Sequence, residues 1–78
     1  MKYKNQFHGT IKTIEDNREV NLEKLIKLSF EKLDDMKKYY YNWYTGAEES
    51  GYKESAIVNY LHFSIIEEAI AIKQKLAE

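Results

Sequence analysis

Ser55–Leu76 reads SAIVNYLHFSIIEEAIAIKQKL, the longest run that must be buried if the chain is to fold at all. Wound at 100° per residue, it places Leu61, Ile72, Ile65, Val58, Leu76 and Ala69 within roughly 80° of one another. Ile66, Ile70, Phe63 and Ala56 form a second apolar stripe beside the first, and Glu67, Glu68, Ser64, Gln74 and Lys75 fill the polar wedge. The two stripes together span roughly 200°, about twice the arc of an ordinary surface helix. One neighbouring helix cannot cover that arc, so the pattern predicts two packing partners. A strand fits less well, because the apolar residues do not alternate and the run far exceeds the usual length of about 5–6 residues.

The chain before it supplies one partner. Asn21 is a suitable N-cap, with Val20 placed to staple onto Leu25. From there Leu22, Ile26, Ser29, Leu33, Met36, Tyr40 and Trp43 recur in steps of four and three, a seam three heptads long. The helix should end near Tyr44, with Gly46 as its left-handed terminator. Thr45–Ser50 then connects to the second helix, so helices are expected over 21–44 and 50–77. Their similar length and short connection predict an all-α antiparallel helical hairpin within a single domain.

Residues 1–20 are expected to form an arm or short helix docked through Phe7, Ile11 and Ile14. A hairpin turning at Asp16-Asn17 is the alternative, although that turn lacks the glycine a two-residue loop favours. If the arm does not cover the Phe63/Ile66/Ile70 stripe, a second copy should, giving a homodimeric four-helix bundle. A monomeric three-helix arrangement is the runner-up.

Composition points the same way. Seventy-eight residues bury only about 60–65% of their unfolded surface, so a chain this short needs disulfides, metal or oligomerisation. It has no cysteine and only two histidines, His8 and His62. The net charge of −1 gives no global field toward nucleic acid or an anionic membrane. No continuous apolar run approaches the roughly 20 residues of a membrane span, and no h-region follows the lysine-rich start. The expectation is cytoplasmic, without membrane association. Eleven lysines to one arginine, with abundant Ile, Asn and Tyr, suit a low-GC bacterium or phage.

Few residues suggest chemistry. His62 has no acid or second histidine at i+3 or i+4, and the Glu-x-x-His pattern of di-iron bundles is absent because residue 59 is Asn. It is expected to lie level with Met36–Tyr40 and to bond the Tyr40 hydroxyl. The neighbours Glu67-Glu68 and Asp34-Asp35 do not face one another on a helix, so neither makes a carboxylate dyad. Ser29 reads as a point of close helix approach, with no partner to make it a nucleophile. Phosphate loops, zinc spacings and nucleophile elbows are missing, and no cofactor is expected.

The unusual feature is Tyr39-Tyr40-Tyr41-Asn42-Trp43-Tyr44. Successive residues diverge by 100°, so five aromatics cannot share one face. Tyr40, Trp43 and Tyr44 are expected on the seam, with Tyr39 and Tyr41 on its flanks. Tyr39, Tyr41, Tyr44 and Tyr52 are the candidate partner-binding residues, because tyrosine and tryptophan dominate interface hot spots. The leading expectation is a non-enzymatic protein–protein interaction module, an accessory or inhibitor protein of a phage or mobile element that binds a host protein. The alternative is a nucleic-acid-associated regulator using Lys2, Lys4, Lys12, Arg18, Lys24 and Lys27.

Overall fold

Ser29, not Asn21, admits the chain to its first long helix. The computed structural model describes residues 11–77. Residues 11–16 are helical, and they lead into α1 (Arg18–Leu25), α2 (Phe30–Ser50) and α3 (Lys53–Ala77). No strand occurs among the described residues, and α2 and α3 pack as a helical hairpin. The expected helix over 21–44 is therefore two helices separated at 26–29.

The break is local chemistry. Ser29 adopts extended backbone, φ −67° and ψ 158°, and its Oγ accepts a hydrogen bond from the Lys32 N–H at 3.1 Å. That satisfies one of the donors a helix start leaves without an intrahelical acceptor. Leu28 and Leu33 stand at the positions either side of such a cap that form a hydrophobic staple. Asn21 lies instead inside α1, where its own N–H donates to the Asn17 carbonyl at 2.9 Å. Ser29→Ala should cost about 1 kcal/mol, read as a lower urea midpoint at unchanged m-value. Ser29→Asp should retain the cap and show no such loss.

The far end of α2 also differs from the expected boundary. Gly46 is an interior helical residue, and Gly51 at φ 80° is the left-handed one. The Tyr52 N–H donates to the Ala47 carbonyl at 2.9 Å and the Gly51 N–H to Glu48 at 3.2 Å. This pair of bonds is a Schellman closure. It shortens the connection to Gly51-Tyr52, so residues 45–50 are helix rather than loop. A Cβ at Gly46 would meet nothing within 4 Å. Gly46→Ala should accordingly stabilise the protein by roughly 0.5–1 kcal/mol, raising the thermal midpoint.

The leading segment covers part of α3. Ile14 is buried, and residues 11–16 with α1 form a helical arm bent at Asn17, not the alternative hairpin. Asn17 continues the helical bonding, since both its N–H and its Nδ2 donate to the Thr13 carbonyl. The expected contact through Phe7 lies outside the described residues. Arg18 Nε donates to Glu68 of α3 at 2.9 Å, and its Nη2 bonds the same oxygen. Lys73, further along α3, donates to the Leu28 carbonyl and sits 4.8 Å from the Phe30 ring centre. It thereby ties α3 to the break before α2.

The two stripes of α3 do not divide between its neighbours as expected: Ile65 of the first and Ile66 of the second line one cavity with residues of both α1 and α2. Phe63, of the second stripe, reaches α2 through Tyr41, while Leu61 lines a groove shared with Ile11 of the arm. Ile66 is 2% exposed within the single chain. It therefore has almost no surface left for a second copy, contrary to its expected place in an oligomer interface. Phe63 and Ile70 are half-buried. Leu76 is exposed because α3 runs past Lys73, where α2 begins.

Lys53–Ala77 is long and apolar enough to cross a membrane by length and composition, a test the core helix of a soluble protein also passes. Only 22% of its most apolar stretch is buried within the chain.

Candidate functional site

The molecule is a slab of 46 × 25 × 14 Å, with α3 between α2 and the arm. A slab has two broad faces, and the aromatic run of α2 serves both. Tyr40 and Tyr41 diverge by about 100° on the helix. Tyr40 stacks on His62, ring centres 4.7 Å apart and planes 24° from parallel. Tyr41 packs against Phe63 at 5.3 Å. The two contacts lie on opposite sides of the α2–α3 seam.

The His62 face carries Tyr39 and Trp43, each 56% exposed and edge to face at 6.3 Å. Tyr39 also meets Tyr40 edge to face at 5.1 Å. Trp43 is thus surface, not seam. Once the helix starts at Phe30, its covered line runs through buried Leu33 and Ala47 and half-buried Lys37, Tyr40 and Tyr44, and Trp43 lies about 80° from the centre of that line. The expected seam followed one strict four-three alternation and drifted off the face.

Beside these residues a cavity of 240 Å³ holds His62 together with Asn21, Lys24, Leu25, Met36 and Ile66. Among the described residues Lys24 is its one charged lining residue. His62 does pair with Tyr40, as its level predicted, but through the ring faces. Burial pushes the His62 imidazole below its ordinary value. The unfolded chain then takes up a proton at a higher pH than the folded one. Stability should fall as pH drops from about 7.5 through the ordinary histidine value near 6.5, and level off once folded His62 also protonates. His62→Gln should flatten the thermal midpoint between pH 7.5 and 5.5. An equal decline in both proteins would place the titration elsewhere.

The opposite face carries a four-ring cluster. Tyr41 and Tyr44 of α2 lie 6.0 Å apart, Tyr60 and Phe63 of α3 5.9 Å apart, and Tyr44 meets Tyr60 at 5.1 Å. With the Tyr41–Phe63 contact these rings close a rectangle across the seam. Tyr41, Tyr60 and the adjoining Ile57 are each about half exposed. Surrounding protein holds the Tyr44 phenol above its ordinary value, and the Glu48 carboxylate adds to the effect. A groove of 380 Å³ beyond Tyr44 and Tyr60 is lined by Glu15 and Glu48, and one of 410 Å³ beyond Tyr41 and Phe63 by Lys37 and Lys38.

The expected partner-binding set is therefore divided. Tyr39 belongs to the His62 face, Tyr41 and Tyr44 to the four-ring face, and Tyr52 stands at the turn, 67% exposed. Sequence reasoning left out Tyr60, although its spacing of three from Phe63 marks it as the same flank. Of the cations proposed for nucleic acid, Lys2 and Lys4 lie outside the described residues and Arg18 is bound to Glu68. Lys12, Lys24 and Lys27 are exposed. Among the described residues no three His, Asp or Glu side chains gather where a metal could sit. Comparison with protein-family models, curated proteins and solved structures finds no match.

Proposed function

We propose that the chain is a non-enzymatic protein–protein interaction module, working as a homodimer and serving a phage or mobile element as an accessory or inhibitor of a host protein. The observation that carries this reading is the exposure of large aromatics on both faces of so small a slab. Tyr39 and Trp43 on one face, and Tyr41 and Tyr60 on the other, are each about half exposed. Tyrosine and tryptophan bring large rigid contact area to an interface at little entropic cost. Apolar surface left open on α3 supports the homodimer, since a chain without disulfides gains its missing burial by association. In this reading α3 does not enter a bilayer. Glu67 and Glu68 near its middle would each cost roughly 2.5–3.5 kcal/mol there.

The test is a pair of baits in cells of the source organism, wild type and Tyr39→Ser/Trp43→Ser, with retained proteins quantified. Both side chains are exposed, so helicity should be unchanged while a specific protein is lost from the variant. Identical retention by both baits removes this surface from the reading. Binding of DNA or RNA that weakens steeply with salt would favour the regulator alternative.

A further inference from the structure

We propose that two copies of the chain pair through the four-ring face, about a two-fold axis that passes between Tyr41 and Tyr44 of α2 and between Tyr60 and Phe63 of α3. The inference rests on the homodimer reading and gives that dimer a face and a register. Of the expected Phe63/Ile66/Ile70 contact it keeps Phe63 and drops Ile66, which is already covered within the chain.

Three observations point to a second copy as the occupant. The first is apolar surface. Tyr41, Tyr60 and Ile57 are 46%, 51% and 52% exposed and adjoin one another across the cluster and its flanking groove. The second is the shape of the cluster. Tyr41 meets Phe63 and Tyr44 meets Tyr60. The midpoint between Tyr41 and Tyr44 therefore lies level with the midpoint between Tyr60 and Phe63. A two-fold axis laid across both helices at that level stacks each helix antiparallel on its own copy. It sets Tyr41 over the partner's Tyr44, and Tyr60 over the partner's Phe63, so rings meet rings at every corner.

The third observation is charge. The same operation brings Lys37 over the partner's Glu48. The two residues are equidistant from the axis, eleven positions or roughly 16 Å apart along α2. Lys38 lines the same groove as Lys37, so the lysine end of α2 faces the partner's Glu48 end twice per dimer. Self-complementary charge of this kind fixes register and excludes the parallel arrangement, while the aromatics supply the affinity. A two-fold axis laid along the helices would instead stack α2 on the partner's α3 and part Lys37 from the partner's Glu48.

Reversed charges test it in the full chain. At low salt Lys37→Glu alone, and Glu48→Lys alone, should each weaken self-association about tenfold, because each puts two like-charge pairs into the interface. Lys37→Glu/Glu48→Lys should restore it, with helicity by circular dichroism constant throughout. Sedimentation equilibrium supplies the dissociation constants. A dimer indifferent to both single changes overturns this face and leaves the homodimer reading standing. Single changes that weaken the dimer with no recovery in the double variant overturn the register. A wild-type chain that stays monomeric into the hundreds of micromolar overturns both. So does a monomer that binds neutral phosphatidylcholine vesicles, since the open side of α3 would then face lipid.

Discussion

Leu33→Ala is expected to remove about 3 kcal/mol of stability, within the range for deleting a buried leucine side chain. Among the described residues Leu33 is the largest fully buried side chain, and it has no exposed surface. It sits one turn after the Ser29 cap, where α2 first meets the rest of the protein. Truncation there removes apolar burial and opens a void beside a helix start, which the cap holds and which cannot easily collapse inward. A domain of this length has about 4–12 kcal/mol in total, so the loss is a large share. The thermal midpoint should drop by roughly 12–24 °C, with a urea midpoint shifted at unchanged m-value. A loss under about 1 kcal/mol would mean that the first turn of α2 is not the packing anchor described here. Leu33→Met, which conserves volume, should cost under about 1.5 kcal/mol and shows whether shape or only apolarity is required.

Leu33 also shows what the sequence made legible. Its burial was readable from spacing alone, as were the all-α class, the hairpin, and the excess apolar arc of α3 that demands two partners. The register around it was not. A four-three alternation runs unbroken from Leu22 to Trp43, and nothing in periodicity marks that the chain leaves the helix in the middle of it. The decisive signal was Ser29, a cap residue sitting on the seam itself, where its polarity reads equally well as a small residue at a close crossing. Choosing Asn21 as cap carried the seam forward onto Trp43, which the structure leaves on the surface. The same competition arose at the glycines. Gly46 and Gly51 are both plausible terminators, and what selects Gly51 is the pair of bonds from Gly51 and Tyr52 to Glu48 and Ala47.

The candidate site was legible in kind but not in arrangement. The tyrosine run announces an aromatic surface, and residue spacing alone says that its members must diverge. Which of them are covered depends on Tyr60 and Phe63 of α3, which only the packing of the hairpin brings alongside. His62 opposite Tyr40 was predictable from the level of one helix against the other. The stacked geometry was not, because it depends on how the two helices are rotated about their axes.

Ile66→Asp is expected to unfold the protein at neutral pH, and it separates the fold described here from a bundle built on that stripe. Ile66 is 2% exposed within one chain, in contact with the cavity between α1, α2 and α3. Removing the aliphatic side chain costs about 2–5 kcal/mol, and the carboxylate adds the penalty of an unpartnered buried charge, several kcal/mol more. The sum reaches or exceeds the whole stability of a domain of this size. The burial that disfavours the charged form would raise the folded carboxyl's pKa. The folded state then binds more protons than the unfolded one, and some helicity should return as pH falls toward 5. Ile57→Asp, at a 52% exposed position of the same helix, should leave far-ultraviolet circular dichroism unchanged and, through the four-ring face, weaken only self-association. A fully helical, monomeric Ile66→Asp at pH 7 would reverse the assignment. The stripe would then be an open oligomer surface, and α1 and α2 would not be the elements that cover it.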